Sequence, residues 1–153
     1  MTQEWRRGDY LISTDKSRLD LAVIHGFLTT SYWAPGIPME VVKKSIDHSL
    51  SFGLYRGDSQ VGFARIITDY ATFAYIGDVF ILEEFRGQGL SKWLMEVIAA
   101  HSDLQGLRRW LLLTRDAHGL YKKTGFTEPQ APERYMEKFF PEVYEKTLKE
   151  QEK

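Results

Sequence analysis

The chain contains no cysteine among its 153 residues. That excludes a disulfide scaffold, a zinc–thiolate site and a thiol nucleophile, and it suits a cytoplasmic protein. Charge of one sign is also lacking, because 20 Lys and Arg stand against 21 Asp and Glu, for a formal net charge of -1. The two signs are interspersed, so no basic stripe offers itself to nucleic acid or to an anionic membrane. Long apolar runs are missing too: nothing approaches the ~20 residues of a membrane span. The opening stretch MTQEWRRGDYLISTD has no apolar h-region, so an untargeted protein with no membrane or nucleic-acid partner is expected. His25, His48 and His101 show no metal-ligand spacing, and no metal is expected. There are no repeats and no low-complexity linker, and 43% hydrophobic content is ample for one core, so residues 1–153 read as a single domain.

The most informative stretch runs from Gly77 to His101. Val79-Phe80-Ile81-Leu82 is short, β-branched and aromatic, which predicts a buried strand closed by Glu83-Glu84. Arg86-Gly87-Gln88-Gly89 supplies two glycines for a turn, and from Ser91 onward Leu90, Leu94, Val97 and Ile98 recur at helical spacing. A glycine turn feeding a helix start presents unpaired N–H groups at the positive end of the helix dipole, which is a phosphate site. A Walker loop would require Gly-Lys-Ser/Thr where the chain has Leu90-Ser91-Lys92, and a dinucleotide fingerprint would require glycine at Lys92. Both nucleotide readings fail.

The rest of the chain reads as strands and helices around that stretch. Tyr10–Ser13 is a short strand, and Asp15 or Ser17 is placed to cap a helix over Leu19–Thr30. Ser31 to Pro38 is an aromatic loop with two prolines, and Met39–His48 is a second helix. Ser51–Tyr55, Val61–Thr68 and the strand from Phe73 predict an antiparallel meander. Arg108–Leu113, after the crossover helix, predicts a strand parallel to the one at Phe73–Leu82. Asp116 is placed to cap a short helix over Ala117–Lys123 that Gly125 ends, and Arg134–Phe139 reads as a last strand. The stretch 141–153 is a charged tail of helical composition.

Arg86-x-x-Gly89-x-Ser91 after a hydrophobic strand resembles the pyrophosphate-binding motif of the GCN5-related N-acetyltransferase (GNAT) superfamily, with Ser91 where that family carries glycine or alanine. Leu113-Thr114-x-x-Ala117-x-x-Leu120-Tyr121-x-x-x-Gly125-Phe126 is similar to the family's next strand and helix. The resemblance implies an α/β (α+β) single-domain acyl-CoA N-acyltransferase fold. Its mixed sheet would have about six or seven strands, splayed in the middle and flanked by about four helices. It also implies an acetyl-CoA-dependent N-acetyltransferase that moves the acetyl group to a primary amine of a small molecule by direct transfer in a ternary complex. A non-catalytic acyl-CoA-binding or sensing module, acetylation of a protein or peptide amine, and a homodimer through the tail remain open.

By position, the resemblance assigns the pantetheine arm to the backbone of Val79, Phe80 and Ile81, with an oxyanion donor near Phe80. It assigns the pyrophosphate to the N–H groups of Gly87, Gln88, Gly89, Leu90, Ser91 and Lys92. Arg86 either contacts phosphate or pairs with Glu83 or Glu84, and Thr114 either contacts CoA or ends its strand. Tyr121 matches the general-acid tyrosine and is otherwise a core aromatic. Asp78, a carboxylate in an apolar strand on the predicted face of Ile76 and Phe80, is a general-base candidate or a hydrogen-bonded structural residue. His118 either titrates near the site or faces solvent. Tyr32, Trp33, Pro35 and Ile37 either wall the acceptor site or plug the sheet end.

Overall fold

Three apolar runs joined by short polar turns build the centre of the molecule. The computed structural model describes residues 1–145. Its elements are β1 (Glu4–Arg7), β2 (Tyr10–Ser13), α1 (Leu21–Leu28), α2 (Met39–Asp47), β3 (Leu50–Arg56), β4 (Ser59–Thr68), β5 (Phe73–Ile81), α3 (Leu90–Ala100), β6 (Arg109–Leu112) and α4 (His118–Lys122). One six-stranded sheet has the order β1-β2-β3-β4-β5-β6. It is antiparallel except at β5–β6, where the α3 crossover makes the pairing parallel as expected.

The sheet separates two cores. On one face α3 lays Leu90, Leu94, Val97 and Ile98 over Phe52, Ile66, Ile76 and Ile81. On the other, Ile24 and Leu28 of α1 and Val42 and Ile46 of α2 pack around Phe63 and Phe80. Phe27 stacks on Phe80 with centroids 4.1 Å apart, which seats α1 directly over β5.

Local chemistry departs from expectation at four places. β1 has Trp5 as its only apolar residue, so its pattern is too polar to read as a strand. It forms because a hairpin through Gly8 (φ +57) sets Trp5 on Phe52, centroids 6.1 Å apart. Asp20, and neither Asp15 nor Ser17, caps α1: its Oδ1 accepts from the N–H groups of Ala22 and Val23 at 3.1 and 3.2 Å. Asp116 does not cap α4; the Thr114 hydroxyl accepts from the Ala117 N–H at 3.0 Å. The predicted strand at Arg134–Phe139 is absent: Pro132–Arg134 forms a 3₁₀ turn and the residues after it join no ladder, so the described sheet ends at β6. Of the predicted tail, residues 146–153 lie outside the described residues, while Tyr144 packs against the α1–α2 core.

Tyr55 on β3 is 2% exposed, and its hydroxyl has no hydrogen-bond partner among the described residues. Its ring fills the space over Gly53, where any side chain would overlap it. Burial pushes its phenol up to about 12, against a smaller lowering by Arg18. A folded-state pKa above the ordinary value of about 10 contributes stability below pH 10 that is lost as pH rises through 12. Tyr55→Phe removes the unpaired hydroxyl. Denaturant melts are therefore expected to show it no less stable than the parent at pH 7, with a shallower loss of stability between pH 10 and 12. A clear loss at pH 7 would mean that the hydroxyl has a partner.

Candidate active site

The site begins with an irregularity in β5. Phe63 pairs with Phe80 and Arg65 with Gly77, so β5 spends three residues where β4 spends two. The extra residue is a β-bulge, and Asp78 within it adopts φ +53, a left-handed conformation that few non-glycine residues take. The bulge also reverses the alternation of side chains. Ile76 lies in the α3 core and Phe80 in the α1–α2 core, so Asp78 shares a face with Phe80 but not with Ile76. The shared face expected for all three is thereby corrected.

The same strand is open on its other side. β5 pairs with β6 only from Phe73↔Arg109 to Ile76↔Leu112, after which β6 ends and β5 continues to Ile81. The two parallel strands therefore splay. The Leu82 N–H donates to Val61 O at 2.8 Å, so by alternation the Ile81 N–H and C=O point away from β4, into the gap. The Arg86 Nε donates to that Ile81 carbonyl at 2.9 Å. Arg86 thus ties the turn to the strand, and among the described residues it makes no ion pair with Glu83 or Glu84.

The open edge leads into the glycine turn. Gly87 (φ +82) and Gly89 (φ +77) both need positive φ, and a Cβ on either would meet nothing within 4 Å. Glycine is required here by backbone conformation, and space is left beside it. Gly89 is the N-cap of α3 and has no side chain to cap with; the first helical bond is from the Trp93 N–H to Gly89 O at 3.0 Å. The N–H groups of Leu90, Ser91 and Lys92 therefore lie in the first turn, without partners inside the helix. The Gln88 side chain is occupied elsewhere, with its Nε2 donating to Phe85 O and its Oε1 accepting from the Tyr10 hydroxyl. Lys92 is exposed and lies 4.0 Å from Glu96, a weak surface pair.

Across the gap stand β6 and α4. Tyr121 packs against the α3 core, edge-on to Phe126 at 6.0 Å, and lines a cavity of about 330 Å³ with Thr114, Trp110 and the exposed His118. Burial, with a smaller contribution from Tyr32, pushes the Tyr121 phenol up to about 12. It stays protonated at neutral pH.

The loop after α1 bridges both sides of the gap. The Trp33 Nε1 donates to Asp78 Oδ1 at 2.9 Å, and the Tyr32 hydroxyl accepts from the Arg115 N–H at 3.1 Å. The Arg115 guanidinium lies 3.9 Å over the Tyr32 ring. Tyr32 and Trp33 face outward beside the site, whereas Ile37 is buried in the α1–α2 core and belongs to the structure. Asp78 is further held by Arg65, whose Nε lies 2.7 Å from Oδ2 and whose Nη1 donates to Ser49. Sequence reading missed Arg65 and Arg115. Arg65 carried a signal: like Asp78, it is a lone charge in an apolar strand, and the hairpin register sets it opposite Gly77.

Comparison with known proteins agrees with this geometry. A profile of the acetyltransferase (GNAT) domain matches residues 47–128. A protein of Gibberella zeae assigned to the acetyltransferases is 37% identical, over 79% of this chain and 80% of that one. The crystal structure of a GNAT-family acetyltransferase from Xanthomonas campestris superimposes with a TM-score of 0.86 at 54% identity, covering 88% of this chain and 96% of that one. An Elizabethkingia anophelis GNAT acetyltransferase with acetyl-CoA bound shares the fold, with a TM-score of 0.63 at 12% identity over 88% of this chain and 90% of that one. A splayed parallel pair, a glycine turn at a helix start and matches of this extent lead to one conclusion: the chain belongs to the GNAT family of acetyltransferases.

Proposed function

We propose that the protein transfers the acetyl group of acetyl-CoA to a primary amine of a small molecule, directly and within a ternary complex. The observation that carries this is the open edge of β5 running from Val79 to Ile81 straight into the α3 N-terminus. An edge of fixed donors and acceptors suits the amides of pantetheine, and the N–H groups of the first α3 turn suit its pyrophosphate. Charge developing on the thioester oxygen is met by a backbone N–H at the β5 bulge near Phe80. The departing thiolate takes its proton from the Tyr121 hydroxyl, and the phenolate regains one from the proton that the amine nitrogen sheds as the amide forms. With no cysteine in the chain, direct attack by the amine is the simplest route.

The loop bearing Tyr32 and Trp33 is fastened to Asp78 and to Arg115, roofing the acceptor side. A roofed, aromatic-walled approach favours a small acceptor with an apolar or flat portion over a folded protein's lysine. No helix among the described residues is long and apolar enough to cross a membrane. Together with the absence of cysteine, this supports a cytoplasmic place of action.

The test is an amine-library screen with acetyl-CoA, read out as free thiol. Turnover of one or more small amines is expected. Binding of acetyl-CoA without turnover of any amine would point to a sensing module, and failure of acetyl-CoA to raise the melting temperature would remove the donor. The turn has its own test. Gly89→Ala forces a side chain into φ +77 with space around it, at a cost of roughly 1–2 kcal/mol in local backbone energy. Alanine lets the free turn relax away from that conformation, and binding then has to restore it, so calorimetric titration is expected to show acetyl-CoA binding weakened by up to about tenfold, since 1.4 kcal/mol is a factor of ten. An unchanged Kd would take the pyrophosphate away from this turn.

A further inference from the structure

Beneath the Trp33 loop the sheet is apolar where Phe63 faces Phe80 and turns polar one step along, where Arg65 of β4 stands opposite Gly77 of β5. Two of the three guanidinium nitrogens of Arg65 are taken. Nε lies 2.7 Å from Asp78 Oδ2, and Nη1 donates to the Ser49 hydroxyl at 3.2 Å. Ser49 donates in turn to the Ser45 carbonyl in the last turn of α2, so the guanidinium is held from two sides. The third nitrogen, Nη2, has no hydrogen-bond partner among the described residues. It lies 3.6 Å from where a Gly77 Cβ would stand, and Tyr75 Cε1 lies at the same distance from that point.

Gly77 is not in the left-handed region, so what glycine supplies here is room. The Tyr75 ring borders that room, and its hydroxyl also lacks a partner among the described residues. Burial pushes the Tyr75 phenol up, Asp78 adds to the rise and Arg65 opposes it, so the hydroxyl keeps its proton and is a donor. A fixed guanidinium N–H and a phenol O–H beside one cleared space suit a carboxylate, which accepts charge-assisted bonds from both. Asp78 does not fill that space, because its oxygens go to Arg65 Nε and to Trp33.

The register fixes the distance from this space to the chemistry. Phe80, whose neighbouring N–H is proposed to meet the thioester oxygen, faces Phe63, and Gly77 faces Arg65, so the two positions are two β4 residues apart. At about 3.3 Å per residue that is roughly 7 Å. It is too far for an α-amino acid, whose amine and carboxylate share one carbon. A spacer of that length would run past Asp78, under the Trp33 ring.

We propose that the acceptor is an ω-amino acid: a primary amine joined by an apolar or flat spacer to a carboxylate that Arg65 Nη2 and the Tyr75 hydroxyl bind over Gly77. The identity of the reacting end rests on the acetyl-transfer reading. The carboxylate site is measurable without turnover.

Calorimetric titration of the full chain in the presence of CoA is expected to show para-(aminomethyl)benzoate bound about tenfold or more tighter than its methyl ester or benzylamine, as suits hydrogen bonds to a charged group. Phenylalanine should bind no better than benzylamine. Gly77→Ala puts a methyl group where the carboxylate would sit, at ordinary contact distance from Arg65 and Tyr75. It should melt close to the parent, because the Arg65–Asp78 pair is untouched, and should lose the preference for the acid. Tyr75→Phe should keep the fold and lose part of that preference. Equal binding of acid and ester by the parent would overturn the proposal, and so would a preference that survives Gly77→Ala in full. Acid preference without acetylation of any amine would remove the acetyl-transfer reading and leave the carboxylate site standing; acetylation of neutral amines with no acid preference would do the reverse.

Discussion

Replacing Tyr121 with Phe is expected to lower kcat by about 10²–10³-fold, within the range for loss of a positioned general acid, while leaving the Kd for acetyl-CoA within about twofold. The ring itself should stay in place. Tyr121 packs edge-on to Phe126 and against the α3 core, and Phe reproduces those contacts, so the melting temperature should change little. What is lost is one hydroxyl near Tyr32, on the residue that lines the cavity beside β6. A phenol held near 12 is fully protonated at neutral pH, whereas an ordinary thiol titrates near about 8.5. The departing thiolate is thus the weaker base of the two. The hydroxyl acts by hydrogen bonding to the charge growing on sulfur, and the proton it hands over is restored by the far more acidic ammonium that the attacking amine becomes.

The same value fixes a pH signature. The limb of kcat that belongs to Tyr121 should stay flat up to about pH 10 and fall only above it, as the phenol starts to lose its proton. The Phe variant should lack that alkaline limb. Unchanged turnover in the Phe variant, measured on a responsive amine, would remove Tyr121 from the chemistry and leave it as a core aromatic.

How much of this was legible depends on whether a feature is local. The glycine turn and α3 were readable because glycine pairs and 3.6-residue periodicity act within one stretch of chain. The parallel β5–β6 pair followed from a single crossover helix. β1 was hidden because its stability comes from contacts with distant residues, Trp5 with Phe52 and His101 and Glu4 with Arg18, with no pattern of its own. Arg134–Phe139 misled for the opposite reason: it has the composition of a strand but no partner strand among the described residues. Capping was misassigned at α1, where Asp20 prevails over Asp15 and Ser17, and at α4, which has no side-chain cap; the Thr114 hydroxyl holds only the Ala117 N–H ahead of the helix.

The bulge is the clearest case of a feature that sequence could not give. Alternation places Asp78 with Ile76, and only the extra residue in β5 turns it toward Trp33 and Arg65. Once there, both carboxylate oxygens are engaged, Oδ2 by the Arg65 Nε at 2.7 Å and Oδ1 by the Trp33 Nε1 at 2.9 Å. With each oxygen already held by a structural partner, the carboxylate is poorly placed to reach an amine. Under the proposed transfer, its work is better described as fixing the bulge in β5 beside the donor, and as fastening the Trp33 loop.

Two substitutions separate these roles. Asp78→Ala strands Arg65, whose side chain is 16% exposed, beside a carboxylate site that is 8% exposed. Breaking such a pair costs about 3–5 kcal/mol, and alanine at φ +53 adds about 1 kcal/mol more. For a domain of this size that lowers the melting temperature by roughly 12–19 °C. Asp78→Asn keeps an acceptor for Trp33 and tolerates the left-handed backbone, so its loss should be nearer 1–3 kcal/mol. If Asp78 holds the bulge, the Asn variant, assayed well below its melting point, should keep kcat within about tenfold of the parent, because the positioned N–H groups persist and no proton acceptor has been removed. A general base would leave a different trace. The Asn variant would then be well folded yet slower by about 10³-fold or more, with the deficit shrinking as pH rises and the amine deprotonates unaided. Stability measured alongside kcat for the same two proteins therefore decides whether Asp78 acts on the amine or on the strand that receives the donor.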